Sequence, residues 1–173
     1  MKPEAIVYTS NTGYTAEYAK ILGEITGLSV YALNETQEKD IPIIYLGWLM
    51  AGSVKGYKKA AKRFKICAVC GVGMGATGSQ IKDIKKANNL PNDMPVFSLQ
   101  GGFDINKLKG IYKFMMNTMK RTAGKSLANK QDRTADEDVM LDLMLNGGSY
   151  VSRENLKDVL DWYESISIEG NYE

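Results

Sequence analysis

Between Thr9 and Thr15 the chain reads Thr-Ser-Asn-Thr-Gly-Tyr-Thr, a run of hydroxyl side chains interrupted by one glycine. Ser10, Thr12 and Thr15 can donate hydrogen bonds to phosphate oxygens, and Gly13 lets the backbone approach an anion closely. The flanking residues supply the rest of such a site. Ala5-Ile-Val-Tyr8 is a short apolar run that predicts a buried strand. Ala16 to Ile25 is rich in helix formers, with Ala19, Leu22 and Ile25 spaced for an inner face. A strand that turns into a helix here leaves the first helical amides without intrahelical partners, at the positive end of the helix dipole. An ordinary strand-to-helix turn capped by Thr12 or Thr15 uses the same residue types. Position, glycine and three hydroxyls together favour the phosphate reading.

The loop contains no lysine and does not fit GxxxxGK[ST], which argues against a P-loop nucleotide triphosphatase. The chain has no histidine at all, which removes Ser-His-Asp and Cys-His nucleophile machinery and imidazole metal ligands. Chemistry here is expected to come from a cofactor, with no side chain acting as acid or base.

The remaining elements place this loop in a larger frame. Leu28 to Leu33 predicts an edge strand, and the polar link from Asn34 to Ile41 is too short for a crossover helix. Pro42 opens Ile43-Ile-Tyr-Leu46, typical of a central parallel strand, and Val54 to Phe64 reads as a helix with a basic face of Lys55, Lys58, Lys59, Lys62 and Arg63. Lys65 to Val72 is the fourth strand, Gln80 to Asn88 a short helix, and Pro95 to Leu99 the fifth strand. This order predicts an α/β fold: a doubly wound, five-stranded parallel sheet with helices on both faces. Ligands of such sheets bind outside the carboxyl ends of the strands, at the topological switch.

Ser10-x-Thr12-Gly13-x-Thr15 after the first strand resembles the phosphate loop of flavodoxins, which holds the 5′-phosphate of FMN. The resemblance implies that Thr9, Ser10, Asn11, Thr12, Gly13, Tyr14 and Thr15 cradle that phosphate. It also implies two ring-facing loops. Gly47, Trp48, Leu49, Met50, Ala51 and Gly52 follow the third strand, with Trp48 as a flat face for stacking. Gly71, Val72, Gly73, Met74, Gly75 and Ser79 follow the fourth, with backbone amides for the pyrimidine edge of the flavin. Gly73-Met-Gly-Ala-Thr-Gly78 is also a literal GxGxxG, but the fifth strand ends Ser98-Leu-Gln100 and lacks the acidic residue that holds a dinucleotide ribose.

Cys67-x-x-Cys70 lies on a predicted strand, where positions three apart point to opposite faces and cannot bridge. Both cysteines read as small buried hydrophobes, with Cys70 nearer the ligand. Two cysteines, no signal-like N-terminus and no membrane-length apolar stretch predict a reducing, cytoplasmic setting.

An insertion of about residues 104–150 separates the fifth strand from the final helix, within one domain spanning 1–173. Asn106 to Thr122 predicts an amphipathic helix with a stripe of Leu108, Tyr112, Met115 and Met119 and a basic face of Lys107, Lys109, Lys113, Lys120 and Arg121. Gly124 to Gln131 reads as a loop, and Thr134 to Leu145 as an acidic-fronted helix. Ser152 to Asn155 caps a last helix whose inner face carries Leu156, Val159, Leu160 and Tyr163. Through Gln131 there are nineteen basic and nine acidic residues, and from Asp132 three and eleven. Flavodoxins are strongly acidic, so this distribution argues against docking on basic redox partners.

Leu99-Gln-Gly-Gly-Phe-Asp104 and the basic, methionine-rich Tyr112 to Lys120 bear a looser similarity to flavodoxin-like protoporphyrinogen dehydrogenases. Those proteins carry a basic insertion here, associated with membrane-linked quinone chemistry. The expectation is therefore an FMN-binding electron-transfer protein, working with a redox protein or a small-molecule acceptor. An FMN-dependent oxidoreductase acting on a quinone or porphyrinogen is one alternative. A non-redox module for another phosphorylated ligand is the other. The basic helix 106–122 is a candidate contact for an anionic partner or a membrane surface. No nucleic-acid partner or metal is expected.

Overall fold

A computed structural model describes residues 1–108 and 110–169, without the side chains of residues 119, 123 and 169. Five parallel strands run in the order β2-β1-β3-β5-β6, where β1 is Ala5–Thr9, β2 Ser29–Ala32, β3 Pro42–Met50, β5 Lys65–Gly73 and β6 Val96–Gln100. The short β4, Ser53–Val54, folds back antiparallel on β3. The chain leaves β1 one way to β2 and then crosses back past β1 to β3, so the topological switch lies between β1 and β3.

Side chains alternate across the sheet and fill two cores. Ile6, Ile44, Leu46, Ala68, Cys70 and Leu99 meet α1 (Tyr14–Thr26) and α6 (Lys157–Glu169) on one face, through Tyr18, Ala19, Leu22 and Val159. Val7, Ile43, Tyr45, Val69 and Val96 meet α2 (Tyr57–Ala61) and α3 (Ile81–Asn88) on the other, through Ala60 and Ile84. Each fully buried Ile or Leu contributes about 1.5–3 kcal/mol. The predicted doubly wound sheet with helices on both faces is what the chain forms. Among the described residues no helix is long and apolar enough to cross a membrane.

The link between β2 and β3 has no helix, as its length requires. Arg63 ties it down instead: its guanidinium donates to the carbonyls of Leu33, Thr36 and Glu38. Lys59 Nζ adds a bond to Asn34 Oδ1 at 2.7 Å. The helix expected over 54–64 is only Tyr57–Ala61, because Val54 pairs into β4 and Gly56 breaks the backbone at φ 81°.

Cys67 is not buried as expected. The β3–β5 register passes from Ile43↔Ile66 to Ile44↔Ala68, so Cys67 is the extra residue of a bulge and stays half-buried. Cys70 is wholly buried on the α1 side, and burial pushes its thiol up to about 12.

The insertion forms its own layer. β7 (Gly102–Phe103) pairs antiparallel with β8 (Gly148–Ser149) to close a neck, and α4 (Gly110–Asn129) packs on α5 (Ala135–Asn146) beyond it. Tyr18 locks the neck from below. Its hydroxyl donates to the Gln100 carbonyl and accepts from Asn155 Nδ2 at 2.7 Å, while Asn155 also donates to the Tyr150 carbonyl at 2.8 Å.

Helix α4 departs from its predicted bounds. Asp104 Oδ1 accepts from Asn106 N at 2.9 Å, a turn that holds residues 105–107 out of the helix. The helix then runs on through Gly124 to Asn129, where a loop was expected. Its inward stripe is Tyr112 and Met116, which join Phe103, Leu108, Leu143, Val139 and Met74 in a third core. Leu108 precedes the helix, and Met115 faces outward with Ile111 and Phe114. Lys109 and the Met119 side chain lie outside the described residues. Thr134 caps α5 through a capping box with Glu137. Ser152 Oγ accepts from Asn155 N at 3.4 Å, and a 3₁₀ turn at Glu154–Leu156 leads into α6.

Candidate functional site

The parallel register brings Thr9, Gly47, Gly71 and Ser98 abreast on β1, β3, β5 and β6. Neighbouring strands lie about 4.8 Å apart, so the three candidate segments leave the sheet at one level on either side of the switch.

The first segment is built around the start of α1. Gly13 is the N-cap residue at φ 99°, and no side chain caps the helix. A Cβ on Gly13 would touch nothing within 4 Å, so the glycine serves the left-handed backbone rather than a tight fit. Gly13 N donates to Ser10 Oγ at 3.2 Å, which fixes the turn. Among the described residues the amides of Thr12, Tyr14, Thr15 and Ala16 meet no protein acceptor. The Thr12 and Thr15 hydroxyls likewise have no hydrogen-bond partner there, although Thr15 is 98% buried as a residue, at 2% exposure. Neither threonine is the helix cap. These donors lie at the positive end of α1, a position that suits a phosphate group.

The second segment differs from expectation. Gly47, Trp48, Leu49 and Met50 are not loop residues but the last four of β3. Leu49 pairs with Val54 and Met50 with Ser53 across a two-residue turn at Ala51 and Gly52, with φ 48° and 75°. Both central residues are left-handed, as a twist-matched tight hairpin requires. Leu49 packs into the core on the α2–α3 side, so of this set only Trp48 offers an aromatic face. That ring is already engaged: Lys55 Nζ sits 5.7 Å from its centroid, and the Tyr112 ring from α4 meets it at 5.2 Å and 89°.

Two side chains absent from the sequence-based set hold this hairpin. The Tyr45 hydroxyl, on a wholly buried ring, donates to the Lys55 carbonyl (2.7 Å) and pairs with Thr9 Oγ1 (2.8 Å). It thereby joins the end of β1 to the return arm of the hairpin. Asn88, at the end of α3, accepts from Val54 N and donates to the Gly52 carbonyl, both at 3.0 Å. Tyr45 sits in an apolar run and Asn88 at a helix end, so neither position signals its role.

In the third segment Gly71, Val72 and Gly73 are also strand residues, in β5. Gly71 is a packing glycine: a Cβ there would meet Ile84 Cδ1 and Leu49 Cδ2, each at 2.7 Å. Met74, Gly75 and Ser79 lie in the loop proper. Thr77 Oγ1 accepts from Gln100 N at 3.0 Å, Gly78 N donates to the Ser98 carbonyl at 2.9 Å, and Ser79 Oγ donates to the Ala76 carbonyl at 2.6 Å. Among the described residues the amides of Gly75, Ala76 and Thr77 meet no protein acceptor, leaving three fixed donors at the strand ends.

A cavity of about 640 Å³ opens beside the first segment, between Tyr14, Glu17, Asp104, Lys107 and the neck at Gly148. Lys107 Nζ lies 5.2 Å from the Tyr14 ring. Burial raises the Tyr14 phenol above its ordinary range, and the charges of Asp104 and Glu17 add to the shift.

The chain matches no protein-family model, no curated protein and no solved structure.

Burial holds the Tyr45 phenol at about 12, partly offset by its bond to Thr9. A tyrosine whose folded pKa exceeds its unfolded value of 10.0 contributes stability that is complete below pH 10 and lost as pH rises towards 12. Cys70 behaves alike from its unfolded value of 9.0 upward. Circular dichroism against pH is therefore expected to show alkaline unfolding beginning above pH 9. Tyr45→Phe should lower stability at pH 7 by about 1 kcal/mol through the lost hydrogen bonds, yet flatten the limb between pH 10 and 12. An unchanged alkaline limb in that variant would contradict the assignment.

Proposed function

We propose that the chain is a flavodoxin-like FMN-binding redox protein that mediates electron transfer. The observation that carries the reading is the uncapped start of α1 beside the β1–β3 switch, with free amides and the Thr12 and Thr15 hydroxyls unpartnered among the described residues. In this reading Thr12, Gly13, Tyr14 and Thr15 hold the phosphate, with Ser10 fixing the turn. Trp48 faces the ring, and the amides of Gly75, Ala76 and Thr77 bond its polar edge. FMN supplies the electron-carrying chemistry when bound. The protein tunes it through stacking, backbone hydrogen bonds and local charge. The test is the visible spectrum of the purified protein and its titration with FMN. Flavin bands or saturable uptake support the reading, whereas a colourless protein that ignores FMN points to a non-redox module for another phosphorylated ligand.

A second reading, an FMN-dependent oxidoreductase acting on a quinone or porphyrinogen, is favoured by the insertion. It touches both ring-facing segments, through Tyr112 at Trp48 and through the cluster around Met74, and the cavity beside Tyr14 opens under it. Turnover of a small acceptor without an added protein distinguishes this enzyme from a carrier.

For a carrier we place partner contact on the outer face of α4. There Ile111 and Phe114 are 68% and 71% exposed, beside exposed Lys113 and Arg121. The described part of this helix has no acidic residue. An anionic partner docking here should give electron-transfer rates that fall as salt shortens the Debye length from about 30 Å at 0.01 M to about 8 Å at 0.15 M. Salt-independent rates in stopped-flow measurements would remove α4 as the docking face.

A further inference from the structure

We infer that Tyr112, delivered by the insertion, forms with Trp48 an aromatic wall of the ligand site for a flat conjugated ring. The inference rests on the flavin reading above and assigns to that site a residue no motif marks.

Tyr112 comes from a helix more than sixty residues beyond Trp48 in sequence, yet the two rings meet edge to face, 5.2 Å between centroids and 89° between planes. Such pairs are attractive beyond their buried area. The contact has fixed supports on both sides. Trp48 lies two residues before the end of a strand whose hairpin is clamped by Asn88, and its ring carries Lys55 Nζ at 5.7 Å. Tyr112 and Met116 pack into the third core with Phe103, Leu108 and Leu143, and the β7–β8 neck anchors that core to the sheet. Met74 belongs to the same core and adjoins the free amides of the β5–α3 loop. The inner face of α4 therefore reaches the ends of β3 and β5, both on one side of the switch, while its outer residues Ile111 and Phe114 remain exposed. A ring placed against Trp48, with its phosphate on α1, meets Tyr112 at that wall.

Because Tyr112 acts on the ring and the Thr12–Thr15 loop on the phosphate, the two contributions separate by ligand. FMN and riboflavin share the ring, and only FMN has the phosphate. Titration of Tyr112→Leu, which keeps apolar volume on the inner face of α4, should show both flavins bound about tenfold more weakly. Tyr112→Phe should restore binding, and Asn117→Ala, at an exposed position of α4, should leave it unchanged. A flavin-free readout accompanies these: with Trp162 replaced by Phe, Tyr112→Leu should shift the Trp48 emission to longer wavelength. Wild-type affinity for both flavins in Tyr112→Leu would overturn this inference and leave the flavin reading standing, as would an unmoved Trp48 emission. A wild-type protein that takes up neither flavin would overturn the reading and this inference together.

Discussion

Replacing Thr12 and Thr15 together by alanine is expected to weaken FMN binding about a hundredfold and to leave riboflavin binding unchanged. A hydrogen bond to a charged group contributes about 1.5–3 kcal/mol, and about 1.4 kcal/mol is a factor of ten in affinity. Two such bonds at the low end of that range give the hundredfold loss. The variant should fold normally, because neither hydroxyl caps α1 or bonds another group among the described residues. Binding should not vanish, since the amides of Thr12, Tyr14, Thr15 and Ala16 remain as donors at the helix start. Ser10→Ala should act differently. Ser10 Oγ accepts from Gly13 N, so its loss loosens the turn itself. Isothermal titration with FMN, riboflavin and inorganic phosphate decides the matter. Equal losses for FMN and riboflavin would mean that the threonines shape the loop and do not contact phosphate. No loss for either would remove the loop from the site.

The frame of this fold is legible because apolar runs and turn chemistry coincide. Ile6 and Val7, Ile43 to Leu46, and Ala68 to Val72 are each wholly or nearly buried, and each strand lies where its run predicts. The strand-to-helix loop at Gly13 is legible for the same reason: only glycine tolerates φ 99° without strain. The β3–β4 hairpin is not. Asn-Gly or Asp-Gly would announce its turn, but Ala51 occupies the first left-handed position, so Gly47 to Gly52 reads as a loop instead of a strand that doubles back. The bulge at Cys67 has no sequence signal, since one extra residue in a strand changes register but not composition. Gly124 reads as a breaker, yet α4 runs through it to Asn129, and only beyond that do Lys130 and Arg133 pair with Glu137 and Asp138 at the start of α5. The aromatic wall is hardest of all to read. Tyr112 becomes part of the strand-end site only through the neck that folds the insertion back over the sheet.

Asn88→Ala is expected to cost about 3 kcal/mol of stability and to damage the site more than the fold. Asn88 is 8% exposed and uses both ends of its amide. Oδ1 accepts from Val54 N at 3.0 Å, and Nδ2 donates to the carbonyls of Gly52 at 3.0 Å and Ile84 at 2.7 Å. Truncation leaves the Val54 amide without this partner and removes the side chain that holds Gly52. A buried group left unpaired costs about 1–3 kcal/mol, so these losses together give the figure. Asn88→Leu should fare little better, because its similar volume restores none of the three bonds. Asn88→Asp keeps the acceptor for Val54 but turns the donors into a carboxylate facing two carbonyls, which should destabilise further at neutral pH. The consequence for the site follows from where the bonds end. They hold the return arm of the hairpin whose other arm carries Trp48, so a loosened Gly52 and Val54 let Trp48 move relative to Thr9 and Gly71. Urea unfolding should show a lower midpoint with an unchanged slope. Hydrogen exchange at Val54 should speed up before exchange in β1 or β5. An unfolding free energy within about 0.5 kcal/mol of wild type, the scale of ordinary surface substitutions, would mean that the hairpin stands on its own pairing and that Asn88 is not its clamp.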